Sequence, residues 1–166
     1  MKVYGAKNMP AMLLLSQVLL REYGLRSLPE VRTTPLGKPY FPTFPGLHFN
    51  LSHSGSWVLC AVSQSPVGVD IEEVRLRGPS LPRYALSEKE YARFCEMGGD
   101  WPAFYSLWTR KEAWCKYTGQ GLRRQWKEDP PEEGLYYGAY GDQLWRAAVC
   151  GEEPAPKDII WWEGSI

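Results

Sequence analysis

The chain has 166 residues, enough to bury an ordinary core in one compact unit or two small lobes. Its 19 acidic and 19 basic side chains cancel, which excludes a global field favouring nucleic acid or an anionic membrane, so any phosphate recognition has to be local. The four dispersed cysteines, with no CxxC pair and no histidine at zinc-ligand spacing, argue against a disulfide or zinc framework and suit a reducing, cytoplasmic setting.

In chain order, Met1–Gly5 alternates about Val3 and predicts a short edge strand. Met12, Leu13, Leu15, Val18, Leu19 and Leu20 then predict an amphipathic helix that stops at Gly24. The apolar run 11–20 is broken by Ser16 and Gln17 and is too short to span a bilayer; without a small-residue cleavage site it reads as a core helix, not a leader. Residues 26–47 carry five prolines and predict a loop. Within it, Gly37 permits close backbone approach of a ligand and Lys38 sets a positive charge beside it.

His48-Phe49-Asn50-Leu51-Ser52-His53-Ser54-Gly55 reads as a strand running into a turn, and its histidine and hydroxyls could donate to a phosphate. Ser52 and His53 are neighbours on a strand and point to opposite faces, and no G-x-S-x-G elbow is present, so a Ser-His hydrolase is a worse fit. Trp57–Ser63 predicts a strong strand, and Val67–Glu72 predicts the next. In the second, the period of two sets Gly68, Asp70 and Glu72 on one face and Val69 and Ile71 on the other. Two carboxylates side by side repel unless a cation lies between them, and a hard cation such as Mg²⁺ suits oxygen donors.

Residues 73–86 predict a loop. Ser87-Glu88-Lys89-Glu90 is a capping box that starts a helix ending near Met97. Asp100 caps a second helix, Trp101 to Thr118, with Pro102 tolerated in its first turn and Gly119 as its stop. Phe104, Leu107, Trp108, Trp114 and Cys115 form its apolar arc. Lys111 falls inside that arc, which predicts an anion bound where this face meets its neighbour, and Glu112 and Lys116 share the border at i, i+4. Residues 123–133 predict an exposed connection. Leu135–Tyr140, Leu144–Cys150 and Asp158–Trp162 predict three strands of one small antiparallel sheet.

Three carboxylates with lysines beside them are what holds a divalent metal against a pyrophosphate. In order and spacing, Gly37-Lys38-Pro39, Phe49-Asn50-Leu51-Ser52-His53-Ser54, Gly68-Val69-Asp70-Ile71-Glu72 and Trp108-Thr109-x-Lys111-Glu112-Ala113-x-x-Lys116 resemble the motif series of the surfactin-type (Sfp-like) 4′-phosphopantetheinyl transferases. The resemblance implies an α+β fold of two lobes related by a pseudo-twofold, each a small antiparallel sheet with a packed helix, and coenzyme A in the cleft. Residues 1–66 would be a reduced N-terminal lobe and 67–166 the C-terminal lobe.

It implies transfer of the 4′-phosphopantetheine arm of coenzyme A to a serine of an apo acyl or peptidyl carrier protein, with Mg²⁺, releasing adenosine 3′,5′-bisphosphate. By motif, Asp70, Glu72 and Glu112 would bind Mg²⁺, Glu112 would also take the serine proton, and Lys116 would neutralise the pyrophosphate. The catalytic set is then Glu112, Lys116 and Asp70. Gly37, Lys38, Pro39, Ser52, His53, Lys111 and Lys116 would meet coenzyme A. The protein is expected to be a cytoplasmic monomer, with a dimer as the alternative, and to bind neither nucleic acid nor membrane. A non-catalytic coenzyme A- or carrier-binding protein of the same fold is the alternative function. One departure stands out: relatives of this type carry a Lys/Arg-rich segment between first strand and first helix, where this chain has Lys7 alone. Arg21, Arg32 or a second chain would have to compensate.

Overall fold

The computed structural model describes residues 1–121 and 128–162. β1 (Lys2–Lys7) leads into α1 (Ala11–Tyr23), followed by the two-residue strands β2 (Arg32–Thr33) and β3 (Pro39–Tyr40). β4 (His48–Ser54), β5 (Trp57–Ser63) and β6 (Val67–Glu73) are joined by short turns. Three helices come next, α2 (Leu81–Ala85), α3 (Glu88–Glu96) and α4 (Trp101–Thr118), and then β7 (Tyr136–Gly141), β8 (Trp145–Gly151) and β9 (Ile160–Trp161). The chain is thus α+β, with small sheets and packed helices.

Two main sheets form, ordered β4-β5-β1-β9 and β6-β8-β7. They pack on each other through Val3, Leu59 and Ala61 of the first and Val67, Val69, Ile71, Ala147 and Val149 of the second. α1 covers the other face of the first sheet with Leu14, Leu15, Val18 and Leu19, against Tyr4, Ala6, Val58, Cys60 and Val62. α4 covers the other face of the second, where Ala113, Trp114 and Cys115 meet Ala148 and Cys150. Because β5 is covered on both sides, its sequence reads as a near-continuous apolar run, whereas β6 alternates between Val69 and Ile71 on one face and Asp70 and Glu72 on the other.

The helix boundaries follow the capping chemistry. Gly24 ends α1 at φ 67, and its N–H donates to the α1 carbonyls of Leu19 and Leu20. Both halves of the Ser87–Glu90 capping box are formed, and the Asp100 side chain accepts from Ala103 N. Three expectations are corrected. β1 is an interior strand, paired with β5 on one side and β9 on the other, and its residues Val3 to Ala6 are buried. The last three strands do not form one sheet: β9 leaves the second sheet and pairs parallel with β1. The loop over 73–86 contains the short helix α2, entered from Ser80 with Pro82 in its first turn. The connection expected over 123–133 lies partly outside the described residues.

Candidate active site

β4 ends the first sheet and β6 ends the second, and the two edges meet through side chains. On β4, Asn50 Oδ1 accepts from Val69 N at 2.9 Å, Ser52 Oγ from Ile71 N at 3.3 Å, and Ser54 Oγ from Glu73 N at 3.1 Å. The period of two of a strand thus matches polar side chains to every second N–H of its neighbour. The otherwise unpaired edge of β6 is satisfied in this way. The serines have a second task. Ser52 donates to Asp70 Oδ1 at 2.9 Å and Ser54 donates to Glu72 Oε2 at 2.8 Å, so the seam holds both carboxylates.

α4 supplies the facing groups, and Gly68 lets it come close. A Cβ on Gly68 would lie 2.0 Å from the Ala113 carbonyl oxygen and 2.3 Å from Tyr117 N. Only a bare Cα admits the helix at this height. Lys116 Nζ then reaches Asp70 Oδ1 at 2.7 Å and Ser52 Oγ at 2.9 Å. The second oxygen of Asp70, Oδ2, is buried with no hydrogen-bond partner among the described residues.

Burial raises the Asp70 carboxyl above its usual value, and the Lys116 charge offsets only part of that. Glu72 is raised chiefly by burial and also by the Asp70 charge, with the Ser54 hydrogen bond opposing. Glu112 is pushed up to about 7, first by burial and then by the charge of Asp70. The Asp70 charge thus raises both other acids, and Glu72 also raises Glu112.

Glu112 and Lys116 line a cavity of ≈ 320 Å³ together with Leu36, Gly37, Lys38 and Pro39. Asn50, Leu51 and Cys115 also line it. The structure therefore groups Asp70, Ser52 and Lys116 by hydrogen bonds, with Glu72 and Glu112 within their field, and the 37–39 loop lines the cavity with Glu112 and Lys116. Two predicted residues lie elsewhere. His53 is exposed on the opposite face of β4 from Ser52, in a second cavity of ≈ 270 Å³ beside Asn8, Pro10 and Ala11. Lys111 is fully buried and pairs with Glu90 Oε2 at 2.5 Å; the same Glu90 oxygen accepts from Ser87 N in the capping box. The anion expected within the apolar arc of α4 is thus the protein's own.

Neither arginine considered as a substitute for the basic segment lines the cavity between Glu112 and the 37–39 loop. Arg21 packs over Tyr4 and Trp162, and Arg32 pairs with Glu30. The sequence reading gave Asn50 no role and Ser54 only that of a possible phosphate donor, although their alternation with Phe49 and Leu51 is the available signal for the seam.

The donors at Asp70, Glu72 and Glu112 are the hard oxygens that Mg²⁺ prefers, and the partnerless Asp70 Oδ2 has capacity to spare. Among the described residues, however, no three His, Cys, Asp or Glu side chains converge in a metal-holding arrangement. Here Lys116 and the β4 serines occupy the carboxylates. The donor chemistry fits the ion, while in this structure the cation beside Asp70 is Lys116.

Comparison with known proteins shows what this chain is similar to. Residues 66–137 match the model of the 4′-phosphopantetheinyl transferase superfamily, a stretch running from β6 to β7 that carries all three acids and Lys116. The chain is similar to a 4′-phosphopantetheinyl transferase of Bacillus subtilis, 41% identical over 90 residues, covering 52% of this chain and 39% of the relative. It is 38% identical over 112 residues to 4′-phosphopantetheinyl transferase Sfp of Bacillus subtilis (strain 168), covering 66% of this chain and 50% of the relative. With 4′-phosphopantetheinyl transferase AcpT of Salmonella typhi the identity is 40% over 114 residues, 64% of this chain and 57% of the relative. The resemblance to Sfp-like 4′-phosphopantetheinyl transferases that the motifs carry is thus shown. The chain spans about half the length of the curated relatives it matches. No helix among the described residues is long and apolar enough to cross a membrane.

Proposed function

We propose that this chain is a transferase that moves the 4′-phosphopantetheine arm of coenzyme A onto a serine hydroxyl of an apo acyl or peptidyl carrier protein. The observation that carries this reading is Glu112. It is a carboxyl on a cavity wall, pushed up to about 7, one helical turn from Lys116. A base with that pKa can take a proton from a serine hydroxyl near neutral pH.

In the proposed reaction the serine oxygen forms a bond to the phosphorus that carries the pantetheine arm. The bond from that phosphorus to the bridging oxygen of the pyrophosphate breaks, and adenosine 3′,5′-bisphosphate leaves. Glu112 receives the serine proton. Lys116, held between Ser52 and Asp70, places a positive charge beside the pyrophosphate. Phosphoryl transfer depends on such positioning and neutralisation more than on covalent help. Asp70, Glu72 and Glu112 would hold Mg²⁺, which supplies further charge neutralisation when bound. In this reading Gly37, Lys38 and Pro39 form the wall at the nucleotide end. Ser52 orients Asp70 and Lys116, and His53 stands where a more distant phosphate would be met.

The reading includes two lobes, 1–66 and 67–166, related by a pseudo-twofold, the first reduced; it also includes a cytoplasmic monomer that engages neither nucleic acid nor membrane. The layering of α1 on one sheet and α4 on the other supports the two-lobe part. The test is to incubate the protein with apo carrier protein, coenzyme A and Mg²⁺ and weigh the carrier by mass spectrometry. A gain of one phosphopantetheine arm, lost in Glu112→Gln, is expected. An unchanged carrier with intact coenzyme A would replace the reading by one of binding alone.

A further inference from the structure

Lys38 is the charged group of the cavity whose bonding the proposed reaction leaves unexplained. Its ammonium donates to two main-chain carbonyls, Tyr117 O and, at 3.3 Å, Val67 O. One belongs to the last turn of α4 and the other opens β6. Tyr117 O is among the final helix carbonyls that have no N–H within the helix, at the negative end of the helix dipole, where a cation is favoured. An ammonium has three N–H groups, so at most one remains for a ligand.

The surroundings are built around the same contact. At its base the loop is closed on itself: Lys38 N donates to Thr34 Oγ1 at 3.1 Å, Thr34 N to Lys38 O at 2.9 Å, and Gly37 N to Thr34 O at 2.8 Å. Gly119, which ends α4 at φ +69, would carry a Cβ 2.9 Å from Lys38 Cδ. The helix stop is therefore bare where the lysine stem crosses it. The stem and Gly119 line the cavity together, while Glu112 and Lys116 line it from α4. Burial pulls the Lys38 ammonium down to about 8, as expected of a cation desolvated against carbonyl dipoles with no carboxylate partner among the described residues.

The geometry points to Lys38 as a positioning residue: it ties the Gly37-Lys38-Pro39 loop to the end of α4 and the start of β6, and so fixes where that loop stands in the cavity that Glu112 and Lys116 also line. This inference rests on the coenzyme A reading for its functional part, but the tie itself does not. If Lys38 were instead a phosphate ligand, the loop would be ordered to the same degree without it, and the loss would be one of charge.

The experiment compares wild type with Lys38→Met in two ways. Hydrogen exchange of the coenzyme-free protein is read over residues 34–40, and KM and kcat for coenzyme A are measured at two salt concentrations. Loss of the tie should speed exchange over 34–40 about tenfold or more, since charge-assisted hydrogen bonds are lost. It should also raise KM severalfold while kcat stays within about twofold and the salt dependence of KM is unchanged, because no phosphate contact is removed. Unchanged exchange would overturn the proposal, as would faster exchange with KM unaltered. A raised KM whose salt dependence shrinks would make Lys38 a phosphate ligand and overturn it too. Lys38→Gln, too short to reach both carbonyls, is measured in parallel in case the methionine variant does not fold. A wild type that transfers nothing would dismiss the functional reading alone, because the exchange measurement uses no coenzyme.

Discussion

Glu112→Gln gives the sharpest test of the electrostatics at the seam. In the folded chain the carboxyl lies at about 7, against an ordinary 4.5, because burial and the neighbouring Asp70 disfavour its charge. Between those two values the folded chain holds a proton that the unfolded chain has released. Stability therefore falls as pH rises through that window, and the loss is complete above about 7. At about 1.4 kcal/mol per pH unit the full penalty is about 3 kcal/mol, and solvent screening at a partly exposed side chain lowers it to about 1–2 kcal/mol. Glutamine removes the charge and keeps the shape. Thermal unfolding followed by circular dichroism in EDTA should place the Tm of Glu112→Gln about 3–6 °C above wild type at pH 8. At pH 4, below both values, the two should coincide. Equal differences at both pH values, or a loss at pH 8, would refute the account. The stabilised variant should be inactive in transfer, since the strain removed is the basicity the reaction uses.

Three further outcomes follow from particular contacts. Lys111→Met leaves Glu90 buried without its cation and should cost about 3–5 kcal/mol in urea unfolding, while KM for coenzyme A stays near wild type; a KM rise without a stability loss would return Lys111 to the ligand set. Gly68→Ala places a Cβ 2.0 Å from the Ala113 carbonyl oxygen and should lift α4, costing about 1–3 kcal/mol and depressing kcat; wild-type kcat in that variant would show that the helix height is not critical. Ser54→Ala strips a hydrogen bond from Glu72 and from Glu73 N, and should cost about 1 kcal/mol and weaken Mg²⁺ binding measured by calorimetry; unchanged Mg²⁺ affinity would remove Glu72 from the metal set.

The local elements were legible because each rested on local chemistry. Gly24, the Ser87–Glu90 box, Asp100 and Gly119 bound their helices by capping, which needs no knowledge of the rest of the chain. The period of two correctly put Gly68, Asp70 and Glu72 on one face. What escaped depended on partners far away in sequence. Ile160 pairs with Tyr4, a register no pattern in a two-residue strand can specify. Lys111 was read as waiting for an external anion because Glu90 had already been given a complete role in the capping box. In the structure one Glu90 oxygen serves both the cap and the lysine.

The seam shows why the candidate site lies where it does. An edge strand such as β6 must have its free N–H groups satisfied or covered, and most proteins do this with backbone, charge or a covering helix. Here short polar side chains of β4 do it. A serine that accepts from a backbone N–H still has its own proton to donate, and that proton needs an acceptor on the same face. Asp70 and Glu72 provide it. Two carboxylates are thereby drawn into a buried seam where their charges oppose each other, and a cation becomes the cheapest way to relieve them. Lys116 relieves one oxygen of Asp70 and leaves the other without a partner among the described residues. The site is thus an electrostatic deficit left over from joining two sheets edge to edge, and Glu112 on α4 deepens it instead of resolving it. On this reasoning the serine ladder and the acidic set stand or fall together: replacing Ser52 and Ser54 jointly with alanine should release both carboxylates and reduce Mg²⁺ affinity by more than the sum of the single changes.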